Sequence, residues 1–198
     1  GSWAINWREN QYDLYLKPGK NIGDTSTILK TEPPLLIHEY NNFITTAAEN
    51  TGDNTIIYLP HYGNTAFAEG TIPKGVNEFK ISGAVAYAGD QLKAELNSSL
   101  SQNKIEISGD IITGASLERQ REKIPIAQKN IATYNSPTLD SIVYWFLQKS
   151  INLYGECLLK TIAYKQDNFG STISGIYDIK KFWQQNGIDS SAINISDG

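Results

Sequence analysis

Methionine is absent from the 198 residues of this sequence, and cysteine and histidine are scarce, with one and two copies. A single cysteine, Cys157, cannot form an internal disulfide or build a zinc site by itself. The apolar helical pattern around Cys157 favours a buried, unreactive thiol. His38 and His61 stand alone, without the spacing of metal ligands. The sequence therefore predicts neither a metal centre nor a disulfide framework.

The chain also lacks an initiator methionine and any long apolar run. It opens Gly1-Ser2-Trp3, whereas a natural cytosolic chain begins with methionine, so we expect a processed product or a segment of a longer protein. No apolar run approaches the roughly 18 to 20 residues needed to span a bilayer. No signal peptide is present either. Any function inferred from these residues is therefore expected to belong to a longer parent protein.

Positive charge is thinly spread along the chain. Seventeen Lys and Arg stand against 21 Asp and Glu, a net charge of −4, and the only basic cluster is the short run Arg119 to Lys123. A nucleic-acid platform needs a basic stripe with aromatic residues between the charges. The composition therefore excludes a nucleic-acid partner. Hydrophobic residues make up 40% of the chain, with four Trp, eleven Tyr and six Phe, which indicates a folded protein.

Strands and turns are expected over residues 1–83. Alternation in Gln11 to Leu16 places Tyr12, Leu14 and Leu16 on one face, and the run ends at Lys17-Pro18-Gly19, which is typical of a half-buried strand. Glu39 to Ala48 fits a short helix or a strand equally well. Further strands are expected at Thr55 to Leu59, Thr65 to Ala68 and Asn77 to Ser82.

The spacing of the apolar residues changes from that of a strand to that of a helix within residues 84–130. Apolar residues recur every four positions from Ala84 to Leu100, which predicts a helix with one apolar stripe. Ile105 and Ile107 then predict a short strand that ends at Gly109. Residues 116–130 are polar and charged, so we expect them to form a surface connection.

The last third, residues 131–198, is expected to be mainly helical. Ser136-Pro137 is a helix start, because Ser can cap and Pro suits the first helical position. A second helical pattern follows Asn152, and a third ends at Gly187 as a C-cap. Ala192 to Ile195 is predicted to be a strand.

The break between the first two of these helices is the candidate functional site. Ser150 and Asn152 place a hydroxyl and a carboxamide side by side on a short turn. The hydroxyl can relay a proton, and the carboxamide can bind a peptide-like substrate. The alternative is that one of the two side chains only caps the following helix, since Ser and Asn are ordinary capping residues.

Other motifs are weaker. Ser101-x-x-Lys104 has the spacing of a serine nucleophile and its lysine, but that chemistry needs both residues on one helical turn. We expect a loop at a helix end there instead. Lys17-Pro18-Gly19 resembles a substrate-binding strand motif, yet Pro18 lacks the backbone N–H that such a strand uses. No Gly-rich phosphate loop, Gly-x-Ser-x-Gly elbow or His-Glu-x-x-His occurs.

Several stretches together resemble a known family. Ser136-Pro137 followed by Lys149-Ser150-Ile151-Asn152-Leu153-Tyr154-Gly155-Glu156 is similar to the second active-site motif of class C low-molecular-mass penicillin-binding proteins. These are serine D-alanyl-D-alanine carboxypeptidases and endopeptidases. Further stretches agree in order: Asn10 to Gly19, Glu32-Pro33-Pro34, Gly70 to Pro73, Tyr87 to Gly89, Ile105 to Gly109, and Gly187 to Gly198.

The resemblance implies an α+β fold made from parts of two domains. Residues 1–83 would form a β-rich inserted domain. Residues 84–130 would form the helix, strand and connection that lead back to the catalytic domain. Residues 131–198 would form the helical part of a penicillin-recognising, transpeptidase-like catalytic domain. The family's Ser-x-x-Lys nucleophile and Lys-Thr-Gly strand would lie outside the chain, which alone is then expected to be inactive.

The resemblance also implies roles and partners. Ser150 would help pass a proton toward the leaving amine, and Asn152 would hold the peptide carbonyl of the substrate. The parent would act on peptidoglycan stem peptides and bind β-lactams, in the periplasm or cell envelope, without a metal or cofactor. Two alternatives remain: a non-catalytic envelope module that binds peptidoglycan or a partner protein, and a cytosolic regulatory domain.

Overall fold

A computed structural model describes residues 2–37, 39–60, 63–126, 129–130 and 132–197. The expectation for His38 and His61 therefore lies outside the described residues. The chain divides into two compact units, one of residues 5–124 and one of residues 1–4 with 125–198. Strands and helices are both present, which confirms the predicted α+β class.

The first unit, residues 5–124, contains two small sheets and two helices in its described part. Its strands and helices are β1 (Gln11–Lys17), β2 (Thr27–Glu32), β3 (Glu39–Ala47), β4 (Asn54–Tyr58), β5 (Thr65–Pro73), β6 (Phe79–Ala84), α1 (Ala88–Gln102) and α2 (Gly114–Arg119). The first sheet is antiparallel with the order β2-β1-β6. The second has the order β3-β5-β4, in which β3 runs parallel to β5 and β4 runs antiparallel to it.

The alternation predicted for β1 is confirmed, because Tyr12, Leu14 and Leu16 are all buried. They join Ile44 and Ile72 from the second sheet in one hydrophobic cluster. The three side chains point to one face because successive residues of a strand alternate between faces. The core of this unit therefore combines residues from both of its sheets.

The segment Glu39 to Ala48, which suited a helix or a strand, forms β3. Each residue from Glu39 to Ala47 has a partner on β5, from Thr65 to Pro73. This parallel pairing buries Ile44 and Thr46 on the inner side of the sheet. Pairing with β5, more than twenty residues away in sequence, therefore decides that this segment is a strand and not a helix.

Strand β2 was missed, and the strand predicted at Ile105 to Ile107 is wrong. β2 alternates only weakly in burial and is held by pairing with β1, with an irregularity between Tyr15 and Leu16. Ile105 and Ile107 lie in irregular chain and are 54% and 45% exposed. Without a neighbouring strand to pair with, an alternating pattern does not form a strand.

Helix α1 begins at Ala88, because Ala84 still belongs to β6. Its predicted apolar stripe is only partly buried, since Ala88 is 2% exposed but Leu96 is 42% exposed, and the polar Gln91 is also 2% exposed. The Gln91 side chain accepts a hydrogen bond from the Leu36 N–H at 3.2 Å and donates one to the Pro34 carbonyl at 2.8 Å. The helix is therefore attached to the loop between β2 and β3 by a buried amide.

Replacing Gln91 with leucine is expected to destabilise the chain by about 2 kcal/mol, because two backbone groups lose their buried partner. Urea unfolding followed by circular dichroism measures the change. Gln102→Leu is the matched control: Gln102 is exposed at the end of α1, and its replacement should stay within about 0.5 kcal/mol. Equal losses for the two variants would contradict this account of Gln91.

The second unit, residues 1–4 with 125–198, contains the helices α3 (Leu139–Lys149), α4 (Asn152–Asp167) and α5 (Thr172–Gln185). The predicted helices are confirmed, but Thr138 rather than Ser136 caps α3, accepting from the Ser141 N–H. Gly187 follows α5 with a φ of +86°, as predicted for a C-cap glycine. The strand predicted at Ala192 to Ile195 is wrong, because a 3₁₀ turn occupies Ser190–Ala192.

Helices α4 and α5 approach closely at Gly175. A Cβ at Gly175 would overlap the Leu159 carbonyl oxygen and lie 2.8 Å from Leu159 Cγ. Thr172 donates a hydrogen bond to Glu156 across the same pair of helices. Cys157, predicted to be a buried, unreactive thiol, is half-buried in α4.

Candidate functional site

The two residues between α3 and α4 define the geometry of the predicted site. Ser150 ends α3 in the left-handed conformation, with φ 52° and ψ 47°. Ile151 returns to an extended conformation, with φ −84° and ψ 94°. Asn152 is then the first residue of α4. The predicted hydroxyl and carboxamide therefore stand on either side of a sharp turn between two helices.

Backbone hydrogen bonds hold this turn. The Phe146 carbonyl accepts from the Ser150 N–H and, at 3.3 Å, from the Ile151 N–H. The Ile151 carbonyl in turn accepts from the Tyr154 N–H at 2.9 Å, which begins α4. A left-handed residue that ends a helix in this way is most often glycine or asparagine. The use of serine here keeps a hydroxyl at a position where a glycine would be less strained.

The side chains of Ser150 and Asn152 are both exposed. Within the described part of the chain, neither side chain makes a hydrogen bond, and the N-cap position of α4 is Ile151, which makes no side-chain cap bond. The alternative in which Ser150 or Asn152 caps α4 is therefore wrong. Both polar groups remain available to a ligand.

Lys149 and Trp145 border the turn on the α3 side. The Lys149 ammonium lies 5.9 Å from the centre of the Trp145 ring, a cation–π contact. Lys149 is also the last residue of α3, where a positive charge interacts favourably with the helix dipole. These contacts are typical of a solvated charge that ends a helix.

The other serine–lysine pair does not form a site. Ser101 lies in the last turn of α1, and Lys104 follows the helix with a φ of 57°. Both residues are exposed, and the Lys104 N–H donates to the Ser101 carbonyl at 3.0 Å. The loop predicted at this helix end is confirmed.

A second surface was not expected from the sequence, and we call it the outer face of the β3-β5-β4 sheet. Its large side chains are Phe43, Ile56, Tyr58, Phe67 and Glu69, and the register places the polar residues Glu39, Asn41, Thr45 and Thr71 on the same side. The Tyr58 hydroxyl donates to Glu69 Oε1 at 3.1 Å, and this bond raises the pKa of Tyr58 above its ordinary value. The alternation of the small residues Ala66 and Ala68 with Phe67 and Glu69 along β5 was the sequence signal that could have identified this surface.

Among the described residues, no group of three or more His, Cys, Asp or Glu side chains is arranged to hold a metal ion. No described helix combines the length and hydropathy that a transmembrane span requires.

Similarity to known proteins extends over both units of the chain. The sequence profile of the D-Ala-D-Ala carboxypeptidase 3 (S13) family matches residues 3–198. No curated protein matches the chain.

Two crystal structures of penicillin binding protein 4 from Haemophilus influenzae are similar in fold. The first, complexed with a β-lactam, is 20% identical and has a TM-score of 0.69, and the match covers 98% of this chain and 45% of that one. The second is 19% identical with a TM-score of 0.67, over 92% of this chain and 39% of that one. The chain therefore spans less than half the length of these structures.

Proposed function

This chain belongs to the D-Ala-D-Ala carboxypeptidase 3 (S13) family, and we propose that the whole protein is a serine-type D-Ala-D-Ala carboxypeptidase or endopeptidase. It processes peptidoglycan through an acyl-enzyme. The chain described here contributes a substrate-binding turn, made by Ser150 and Asn152, and a β-rich unit. The protein acts in the periplasm or cell envelope on peptidoglycan stem peptides, and β-lactams acylate it in place of those peptides.

The observation that supports these roles is the pair of exposed side chains at the α3–α4 turn. The Ser150 hydroxyl can accept a proton on one side and donate its own on the other, which is what relaying a proton to a leaving amine requires. The Asn152 carboxamide N–H can donate to a substrate carbonyl. Two helices and the backbone bonds of Phe146 and Ile151 hold the turn, so these groups are positioned before substrate binds.

The reaction proceeds in two steps. A serine hydroxyl outside this chain adds to the carbonyl of the terminal D-Ala-D-Ala peptide bond, the C–N bond breaks, and D-alanine leaves with a proton. Water then hydrolyses the resulting ester and returns the serine. Ser101 and Lys104 do not perform this step, because they are not on one helical turn. The resemblance to penicillin-binding proteins implies that the nucleophile, its lysine and the Lys-Thr-Gly strand belong to a part of the protein outside these residues.

A fluorescent penicillin tests the acyl-enzyme. The whole protein should carry a covalent label that survives denaturing electrophoresis, and pretreatment with unlabelled penicillin should abolish it. The chain of residues 1–198 alone should stay unlabelled. An unlabelled whole protein would contradict acylation, and labelling of the isolated chain would contradict the placement of the nucleophile outside it.

A further inference from the structure

The outer face of the β3-β5-β4 sheet exposes several large apolar side chains. Phe43 is 61% exposed, Ile56 is 56% exposed and Tyr58 is 38% exposed, whereas Ile44 and Ala68 on the opposite face are completely buried. An exposed group of large apolar side chains on neighbouring strands is typical of an interaction surface. The inner face of the sheet therefore packs in the core, whereas the outer face is accessible to a partner.

A carboxylate stands among these apolar side chains. Glu69 lies opposite Phe43 on β3 and opposite Ile56 on β4. Tyr58 orients it from one side, because its hydroxyl donates to Oε1 at 3.1 Å. The Tyr58 ring is itself fixed by stacking on Phe67, with ring centres 4.4 Å apart and planes 14° from parallel. Glu69 therefore presents its charge at a defined position, with its Oε2 oxygen open to a ligand.

Nothing in the sheet balances this charge. Strands β3, β4 and β5 contain no lysine or arginine, and Glu69 forms no ion pair with any residue that the structure describes. A ligand complementary to Glu69 and to its cross-strand neighbours Phe43 and Ile56 therefore brings a positive charge flanked by apolar groups. Aromatic ring faces also attract cations, so Phe43 and Tyr58 add to the preference that Glu69 sets.

We propose that the outer face binds a peptide segment of a partner protein through one arginine side chain flanked by apolar residues. The guanidinium pairs with the Glu69 carboxylate, a charge-assisted interaction that arginine makes with two N–H groups. Its plane lies against Phe43 or Tyr58, and the flanking apolar residues cover Ile56. A nucleic acid is repelled by the carboxylate, and a neutral saccharide leaves the negative charge without a complement. The interaction does not depend on the acyl-transfer chemistry.

The test uses the whole protein and a synthetic peptide, acetyl-Val-Leu-Arg-Val-Thr-amide, followed by NMR titration of backbone amides. The matched peptide carries citrulline in place of arginine, which has nearly the same shape without the charge. We expect the arginine peptide to shift amides of β3, β4 and β5, and the citrulline peptide to bind about tenfold more weakly. Glu69→Gln should weaken binding of the arginine peptide by about the same factor and leave binding of the citrulline peptide unchanged.

Two control variants make the result specific. Glu78→Gln removes an exposed carboxylate outside the outer face and should leave binding unchanged. Phe43→Ser should weaken the binding of both peptides. Phe169→Ser, which removes a 70% exposed ring in the other unit, should change the binding of neither peptide.

The proposal is overturned by any of the following results: no binding of the arginine peptide, equal binding of the two peptides, Glu69→Gln binding like the unaltered chain, or amide shifts elsewhere in the chain. A tetramer of β-1,4-linked N-acetylglucosamine serves as a competing probe. Tighter binding of that saccharide at the same amides, unaffected by Glu69→Gln, would assign the outer face to a glycan instead.

Discussion

Replacing Ser150 with glycine in the whole protein is expected to lower kcat/KM for D-alanine release by about 100-fold or more, without loss of stability. The rate falls because the hydroxyl that passes a proton to the leaving amine is gone, and positioned proton transfer contributes at least that much. Stability is kept or raised because Ser150 has a φ of 52°, a conformation that glycine adopts without strain. D-Alanine release from a D-Ala-D-Ala peptide, and urea unfolding, measure the two effects.

Glycine is more informative than alanine at this position. Alanine at a φ of 52° removes the hydroxyl but keeps the Cβ that strains the backbone, so a loss of activity would have two explanations. Glycine separates them, since a purely structural role at the end of α3 predicts full activity with equal or greater stability.

A matched control is available at the end of α4. Asn168 ends that helix with a φ of 56° and is exposed, so Asn168→Gly makes the same backbone change away from the proposed site. We expect Asn168→Gly to retain full activity. Full activity in Ser150→Gly as well would contradict the proton-relay role.

Replacing Gly70 with alanine is expected to produce the largest loss of stability, about 3 to 5 kcal/mol. Gly70 lies within β5, between Ile44 on β3 and Thr55 on β4, and its φ is +112°. A Cβ there would overlap the Asn54 carbonyl oxygen and lie 2.9 Å from Thr55 Cα. Both neighbours are backbone atoms of a paired strand, so they cannot move aside without separating β4 from β5.

Urea unfolding and hydrogen exchange of the β4 and β5 amides measure the loss in Gly70→Ala. Gly52→Ala is the control, because Gly52 also has a positive φ, +73°, but nothing lies within 4 Å of its added Cβ. It should cost only the backbone strain, about 1 to 2 kcal/mol. Equal losses at the two positions would show that strain alone, and not the contact between β4 and β5, makes glycine necessary at Gly70.

Local patterns were sufficient for the elements whose signal lies within one helical turn or one strand. The alternation of Tyr12, Leu14 and Leu16 predicted β1 and its buried face, and the apolar periods after Ser136 predicted α3, α4 and α5. Even there the first cap was misplaced by two residues, because Ser136 and Thr138 are chemically equivalent as caps. The family was likewise identified from short stretches in a shared order, and the match over residues 3–198 confirms it.

The elements that were missed, left open or wrongly predicted are decided by the presence or absence of partners far away in sequence. β2 forms because β1 pairs with it, and β3 is a strand because β5 lies alongside it. Ile105 and Ile107 have the pattern of a strand, but they lie in irregular, exposed chain. Gln91 is buried in α1 because the Pro34 carbonyl and the Leu36 N–H need its amide.

The sequence by itself determined the α+β class, the family and the two residues proposed to bind substrate, since each depends on residue type and near spacing. Only the tertiary structure decided that Ser150 adopts a left-handed conformation and that neither it nor Asn152 caps α4. It also decided that Phe43, Tyr58 and Glu69 share one exposed surface. The physical reason is that a strand's register and a turn's dihedral angles follow from which distant backbone groups pair, and no local pattern specifies those pairs.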